Sequence, residues 1–422
     1  MSEHQTFQIP YLIRGGQTIV TPPIARRLTA MPPYAFAALT QRIAALKAQG
    51  RDVIRLDIGS PDLPPAPFII EALSRSAARA DRHGYGPYGG IPELHQAIAG
   101  YYARRFGVEL APGRETLALI GSKEGIFNIA LAYVDPGDVV LVPDPGYPTY
   151  SMGALLAGGE VYPLPLREEN DFLPDLEAVP AEVLRRAKLL WLSYPNNPTT
   201  GLAPLAFFEQ AVDFARRHNV LLCHDNPYAD VTFDGYVAPS ILQVPGAKEV
   251  AVEFNSLSKL YNMGGWRVGM VVGNAEAIGH LARLKSNIDT ALFISIQEAA
   301  VAALNGDQGW LQARNAVYRE RRDIVIEGLR AAGLAVRVPQ ATMYVWARIP
   351  DGQTSAEFAS RLLEDTGVSL TPGTVFGACG EGYIRISLGI ATERIREAMD
   401  RLRAWMAQPL TQAATAGKPI SF

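Results

Sequence analysis

Ser256-Leu257-Ser258-Lys259-Leu260-Tyr261-Asn262-Met263-Gly264-Gly265-Trp266-Arg267 follows a short apolar run, residues 250–254. The run reads as a buried strand, so the stretch after it lies where an α/β sheet presents groups to a ligand, at a strand's carboxyl end. A lysine amine held there can attack an aldehyde and form an imine, and burial keeps its pKa low enough to react. Ser256, Ser258 and Arg267 can all bind a phosphate, the arginine through its planar fork. Taken alone, Ser-x-Ser-Lys equally suits a surface lysine in a turn, and its surroundings must decide.

Working outward, residues 116–273 alternate apolar runs (116–120, 139–142, 189–192, 220–223) with helical patterns (124–133, 147–157, 205–217). That alternation predicts a mainly parallel sheet covered on both faces. The strands at 250–254 and 268–273 are joined too closely for a crossover helix, which suits an antiparallel or edge placement. Beyond residue 273 the order changes to helices at 275–284, 294–305 and 310–332 and strands at 335–338 and 343–348. A helix at 355–366, a strand at 383–388 and a helix at 393–406 complete a smaller α+β lobe. The helix at 34–49 and strand at 52–57 are expected to join that lobe. The domain reading is therefore an arm (1–33), part of the small domain (34–65), a large domain (66–299), the rest of the small domain (300–407) and a frayed tail (408–422).

Composition narrows the class. A chain of 422 residues with 48% hydrophobic and 19% charged residues is long enough for two cores and unlike a disordered chain. Its net charge of −3 gives no electrostatic footprint for nucleic acid or an anionic membrane, and no run is long enough to span a bilayer. Cys223 and Cys379 make no disulfide framework, and the six histidines form no zinc spacing. The expectation is a cytoplasmic enzyme without metal.

Further stretches punctuate the strand ends. Ile120-Gly121-Ser122-Lys123-Glu124-Gly125 puts small residues where a helix N-terminus can take a phosphate, although an ordinary tight turn looks similar. Asp144-Pro145-Gly146-Tyr147-Pro148-Thr149-Tyr150, Tyr194-Pro195-Asn196-Asn197-Pro198-Thr199 and His224-Asp225-Asn226-Pro227-Tyr228-Ala229-Asp230 each follow a strand and each reads, alone, as a turn. Tyr383-Ile384-Arg385-Ile386-Ser387 sets an arginine inside an apolar strand, where it needs a partner, either a structural carboxylate or a ligand. Two glycine-containing loops, Ile58-Gly59-Ser60-Pro61-Asp62 and His83-Gly84-Tyr85-Gly86-Pro87-Tyr88-Gly89-Gly90-Ile91-Pro92-Glu93, lie ahead of these.

In this order and at these distances the eight stretches resemble the class I/II aminotransferases, enzymes dependent on pyridoxal 5′-phosphate (PLP) with the aspartate aminotransferase fold. The resemblance runs over residues 34–406. It implies fold type I: a large domain whose mostly parallel mixed sheet is sandwiched by helices, plus a smaller α+β domain. It implies that Lys259 carries PLP as an internal Schiff base and acts as base and then acid. Asp225 would charge the pyridine nitrogen, Asn197 and Tyr228 would meet the phenolic oxygen, and Tyr147 would stack on the ring. Ser122, Lys123, Ser256, Ser258 and Arg267 would hold the phosphate, with Tyr85 reaching in from the neighbouring subunit of a homodimer. Arg385 would clamp the substrate α-carboxylate, with the Gly59 backbone closing over it. One departure is Thr200 where the family often has glycine, with Gly201 one place later, which should affect loop geometry alone. Asp230 and Asp234 match no family position and read as solvated loop charges.

The implied reaction passes an amino group from an amino acid to a 2-oxo acid. Aspartate aminotransferases bring a neighbour's arginine to the distal carboxylate from a stretch corresponding to 285–297, which holds no arginine here. That stretch and Gly-Ser-Lys-Glu-Gly are similar to bacterial LL-diaminopimelate aminotransferases of lysine biosynthesis, with 2-oxoglutarate as partner. Broad-range alanine or aspartate-type transamination, and a PLP-dependent carbon–sulfur lyase using the same residues, are the alternatives. A transcription regulator with an aminotransferase-like domain is disfavoured, because too few residues precede the first helix for a DNA-reading module.

Overall fold

The computed structural model describes residues 13–14, 17–18, 22–32 and 37–408. The expected arm and the start of the expected helix at 34 fall partly outside these residues, and the expected tail falls outside them apart from Gln408. A small hairpin pairs β1 (Ile13–Arg14) with β2 (Gln17–Thr18), and β3 (Ile54–Arg55) follows helix Ala37–Ala48.

The central sheet is built from β4 (Thr116–Ile120), β5 (Val139–Asp144), β6 (Glu160–Pro165), β7 (Ala187–Ser193), β8 (Leu221–Asp225), β9 (Ala251–Ser256) and β10 (Val268–Gly273). Their spatial order is β4-β10-β9-β8-β7-β5-β6. Five of these strands run parallel to their sheet neighbours from β6 through β9, while β10 is antiparallel to both β9 and β4. The expected short connection before β10 is thus antiparallel, but β10 lies inside the sheet and not at its edge. Apart from the edge strand β6, these strands are buried on both faces and read as apolar runs.

The helices follow the same logic. Leu205–His218 buries Phe207, Phe208, Ala211, Val212, Phe214 and Ala215, an apolar stripe at helical spacing. Arg216, Arg217 and His218 in its last turn suit the negative end of the helix dipole, and Asn219 closes it at φ 53°. Helix Ser355–Thr366 starts on a reciprocal capping box between Thr354 and Glu357.

A second core surrounds β11 (Tyr344–Arg348), β13 (Thr371–Pro372) and β14 (Tyr383–Ser387), while β12 (Val368–Ser369) pairs in parallel with β3. Leu39, Ile43, Leu46 and Val53 pack with Leu363 in the same region.

Several elements depart from the sequence expectations. β6 is a largely exposed edge strand in which only Leu164 is buried, and it contains Pro163 and Pro165, so it shows no alternation to read. Helices Pro67–Ala77 and Pro92–Phe106 both carry proline at their start, a legitimate N1 signal. The expected strand at 335–338 reduces to a single bridge between Val336 and Ala347, because Val338 is exposed and Pro339 ends the pairing.

Candidate active site

The carboxyl ends of β4, β5, β7, β8 and β9 open on one cavity of about 560 Å³. Because β10 runs the other way, its first residue lies at that same end, which brings Arg267 opposite the loop after β4. Gly121 has φ +73°, and a Cβ there would come within 2.2 Å of Arg267 Nη2. A Cβ on Gly269 would meet Ser122 N at 2.4 Å. These two glycines let the guanidinium and a sheet strand close around the first turn of helix Ser122–Tyr133, leaving a positively polarised helix end beside Ser256 and Ser258.

Lys259 sits in the one-turn helix Leu257–Leu260, and its Nζ donates to the carbonyl of Gly59. Burial is the main cause that lowers its pKa; Tyr344 opposes this, and the charges of Arg385 and Arg267 add to the lowering. Gly59 has no room for a side chain, since a Cβ would meet Tyr344 Oη at 2.2 Å.

Asp225, the last residue of β8, is 4% exposed. Its Oδ2 accepts from the Tyr150 hydroxyl at 2.7 Å, and its Oδ1 has no hydrogen-bond partner. Burial raises its pKa to about 6, against the opposing hydrogen bond from Tyr150. Tyr150 is itself fixed by stacking on Trp191, with ring centroids 4.7 Å apart.

Arg385 is buried on β14 and donates Nη1 to Asn197 Oδ1 at 2.8 Å and Nη2 to the Asp57 carbonyl at 3.1 Å. It lies over the rings of Tyr344 and Phe376, at 4.2 and 4.6 Å. No carboxylate among the described residues pairs with it: the Asp57 side chain is taken by Arg55. The structural ion pair that could have explained an arginine in an apolar strand is absent, and its Nε is left without a partner. Tyr228, beside it, shares a 3.0 Å hydroxyl contact with Tyr344.

The family model of the class I and II aminotransferases matches residues 51–402. The chain is a class I and II aminotransferase.

The LL-diaminopimelate aminotransferase of Moorella thermoacetica is 52% identical to it over 379 residues, covering 90% of this chain and 97% of that one. The apo-BacF structure from Bacillus subtilis superposes with a TM-score of 0.88 at 37% identity, covering 91% and 98% of the two chains. A Thermus thermophilus aspartate aminotransferase mutant gives 0.85 at 32% identity, covering 91% and 100%. The aminotransferase is therefore a PLP-dependent enzyme of the aspartate aminotransferase fold. The cavity fits that cofactor on its own evidence. It offers a buried carboxylate oxygen with no protein partner, an amine of lowered pKa, and a helix end cleared by glycines for an anion.

Of the residues singled out from the sequence, Gly59, Ser122, Lys123, Tyr147, Asn197, Asp225, Tyr228, Ser256, Ser258, Lys259, Arg267 and Arg385 all line this cavity. Tyr85 does not; it is 91% exposed on a loop outside it. The sequence reading missed Tyr150, which stands in the same stretch as Tyr147, and Tyr344, an aromatic in an apolar strand with no distinguishing signal. Asp230 corrects the reading as a solvated loop charge. It accepts from Arg105 Nε at 2.6 Å and from the Tyr101 hydroxyl at 2.7 Å, with its side chain only 11% exposed. Asp234 is likewise paired, with Arg322, though its side chain stays 42% exposed. Thr200 adopts φ 61°, so the missing glycine forces a β-branched residue into left-handed backbone.

Proposed function

We propose that this aminotransferase takes its amino group from LL-diaminopimelate, passes it to 2-oxoglutarate and so serves lysine biosynthesis, with Lys259 as the residue that carries PLP. The observation that carries the site assignment is Arg385, buried in one cavity with Lys259 and Asp225 and paired with no carboxylate. The substrate reading rests on the named relative at 52% identity and on the absence of arginine from residues 285–297. The one cation in that stretch, Lys285, is buried against Glu124 and Asp289.

When bound, PLP supplies an electron sink for the bond broken at the substrate Cα. In this reading Asp225 would hold the protonated ring nitrogen through Oδ1, its unpaired oxygen. Asn197, whose carbonyl accepts from Arg385, and Tyr228 would donate to the phenolic oxygen. Ser122, Lys123, Ser256, Ser258 and Arg267 would hold the phosphate, and Tyr147 would stack on the ring. Arg385 grips the α-carboxylate in a bidentate pair. Lys259 Nζ, whose pKa burial lowers, would take the proton from the substrate Cα as base and return it as acid.

The same reading places Tyr85 at the phosphate of a second copy, which makes the working unit a homodimer; the exposure of Tyr85, Tyr88, Ile288 and Phe293 supports this. It divides the chain into a large domain (66–299) and a small one (34–65 with 300–407), supported by the separate hydrophobic clusters around the two sheets. It sets the enzyme in the cytoplasm; no described helix is long and apolar enough to cross a membrane. A half-reaction screen of LL-diaminopimelate, glutamate, alanine and aspartate against the reconstituted enzyme tests the assignment. Conversion to pyridoxamine phosphate should be fastest with LL-diaminopimelate and glutamate. Faster conversion with alanine would overturn the substrate reading, and no conversion with any of them would favour the lyase.

A further inference from the structure

The cavity contains an ion pair that the chemistry above does not use. Arg55 ends β3, Asp57 stands two residues on at a bend, and both line the cavity. Arg55 donates Nε to Asp57 Oδ1 at 3.1 Å and Nη2 to Oδ2 at 2.5 Å. Asp57 is 1% exposed, whereas the Arg55 side chain keeps 23% of its surface open. A pair this local ties no distant elements together, and a buried ion pair is a poor stabiliser where apolar residues of similar size would serve. Its position therefore asks for a ligand.

The backbone of Asp57 says which end of the ligand. The Asp57 carbonyl accepts from Arg385 Nη2 at 3.1 Å and from the Thr371 hydroxyl at 3.2 Å. Its carboxylate is thus about one side-chain length from the guanidinium assigned to the α-carboxylate. An extended diamino diacid holds its two α-carbons four C–C bonds apart, roughly 5 Å. Each end of that molecule is an ammonium next to a carboxylate, and the Arg55–Asp57 pair presents the two opposite charges side by side.

We propose that Arg55 and Asp57 form the specificity subsite for the distal head of the substrate, Arg55 for its carboxylate and Asp57 for its ammonium. This rests on the diamino diacid reading given above. It lets one chain supply from β3 the distal recognition that aspartate aminotransferases take from a neighbour. It also accommodates both half-reactions: glutamate has the distal carboxylate without the ammonium and uses Arg55 alone.

The test is kcat/KM and substrate dissociation constants for LL-diaminopimelate, glutamate and alanine in the reconstituted holoenzyme. In Arg55→Met, both diacids should lose at least tenfold relative to alanine. In Asp57→Asn, LL-diaminopimelate should lose at least tenfold relative to glutamate, since only it has a distal ammonium. Unchanged ratios, or equal losses for all three amino acids, would overturn the proposal. If either single variant folds poorly, the apolar pair Arg55→Met/Asp57→Leu must show both losses. A wild-type enzyme inactive on LL-diaminopimelate would refute the substrate reading and Asp57's part in the subsite, while the glutamate-to-alanine ratio in Arg55→Met would still decide Arg55's part.

Discussion

Tyr150 holds one oxygen of Asp225 and leaves the other bare: the hydroxyl donates to Oδ2 at 2.7 Å, and Oδ1 meets no donor. A carboxylate buried this way favours its neutral form, which is why its pKa rises to about 6. A cation placed at Oδ1 would reverse that preference.

The first prediction concerns pH and the protein without cofactor. A folded-state pKa of about 6, above the ordinary aspartate value of 3.8, means that the folded chain binds the extra proton. Its stabilising effect is fully present below pH 3.8 and is lost as pH rises through 6, by about 3 kcal/mol. Asp225→Asn should therefore melt higher than wild type at pH 8 and no higher at pH 4, while binding PLP far more weakly. Thermal melts of the two apoproteins at both pH values check this, and a variant less stable at pH 8 would contradict it.

Arg385→Lys keeps the charge and loses the fork. Without bidentate geometry and the donor to Asn197 Oδ1, kcat/KM should fall by about a hundredfold for every amino acid tested, corresponding to about 3 kcal/mol. PLP affinity should change little. Steady-state kinetics beside equilibrium dialysis would show the split, and a loss confined to PLP binding would refute the role.

Asp230→Ala distinguishes a half-buried ion pair from a loop charge. Arg105 and Tyr101 both lose their acceptor, so urea unfolding should show a loss of about 2–4 kcal/mol. An exposed loop carboxylate would give a change within about 0.5 kcal/mol.

Thr200→Gly should stabilise. Relief of left-handed backbone at a β-branched residue outweighs the entropy that glycine adds to the unfolded chain, for a net gain of about 0.5–1 kcal/mol. The melting temperature should rise by a degree or two with kcat unchanged, and a lower melting temperature would contradict this.

The sequence made the central sheet legible because strands buried on both faces are continuous apolar runs: β4 and β10 have the expected bounds. The edge strand β6 was illegible for the converse reason, exposure with two prolines. Lys259, Asp225, Asn197 and Arg385 could be placed because each stands in a recognisable stretch at a strand end or within a strand. Tyr344 and the Arg55–Asp57 pair could not, because their meaning comes from contacts across the fold: Tyr344 against Gly59 and Tyr228, Asp57 against Arg385. Asp230 was misread because its partner Arg105 lies 125 residues away.

The most direct test of the account is to reduce the PLP-loaded enzyme with borohydride and map the modified residue by peptide mass spectrometry. The account predicts a phosphopyridoxyl group on the peptide containing Lys259, absent in Lys259→Ala although that variant keeps the circular dichroism of the wild type. Modification at another lysine, or an undiminished adduct in Lys259→Ala, would contradict it.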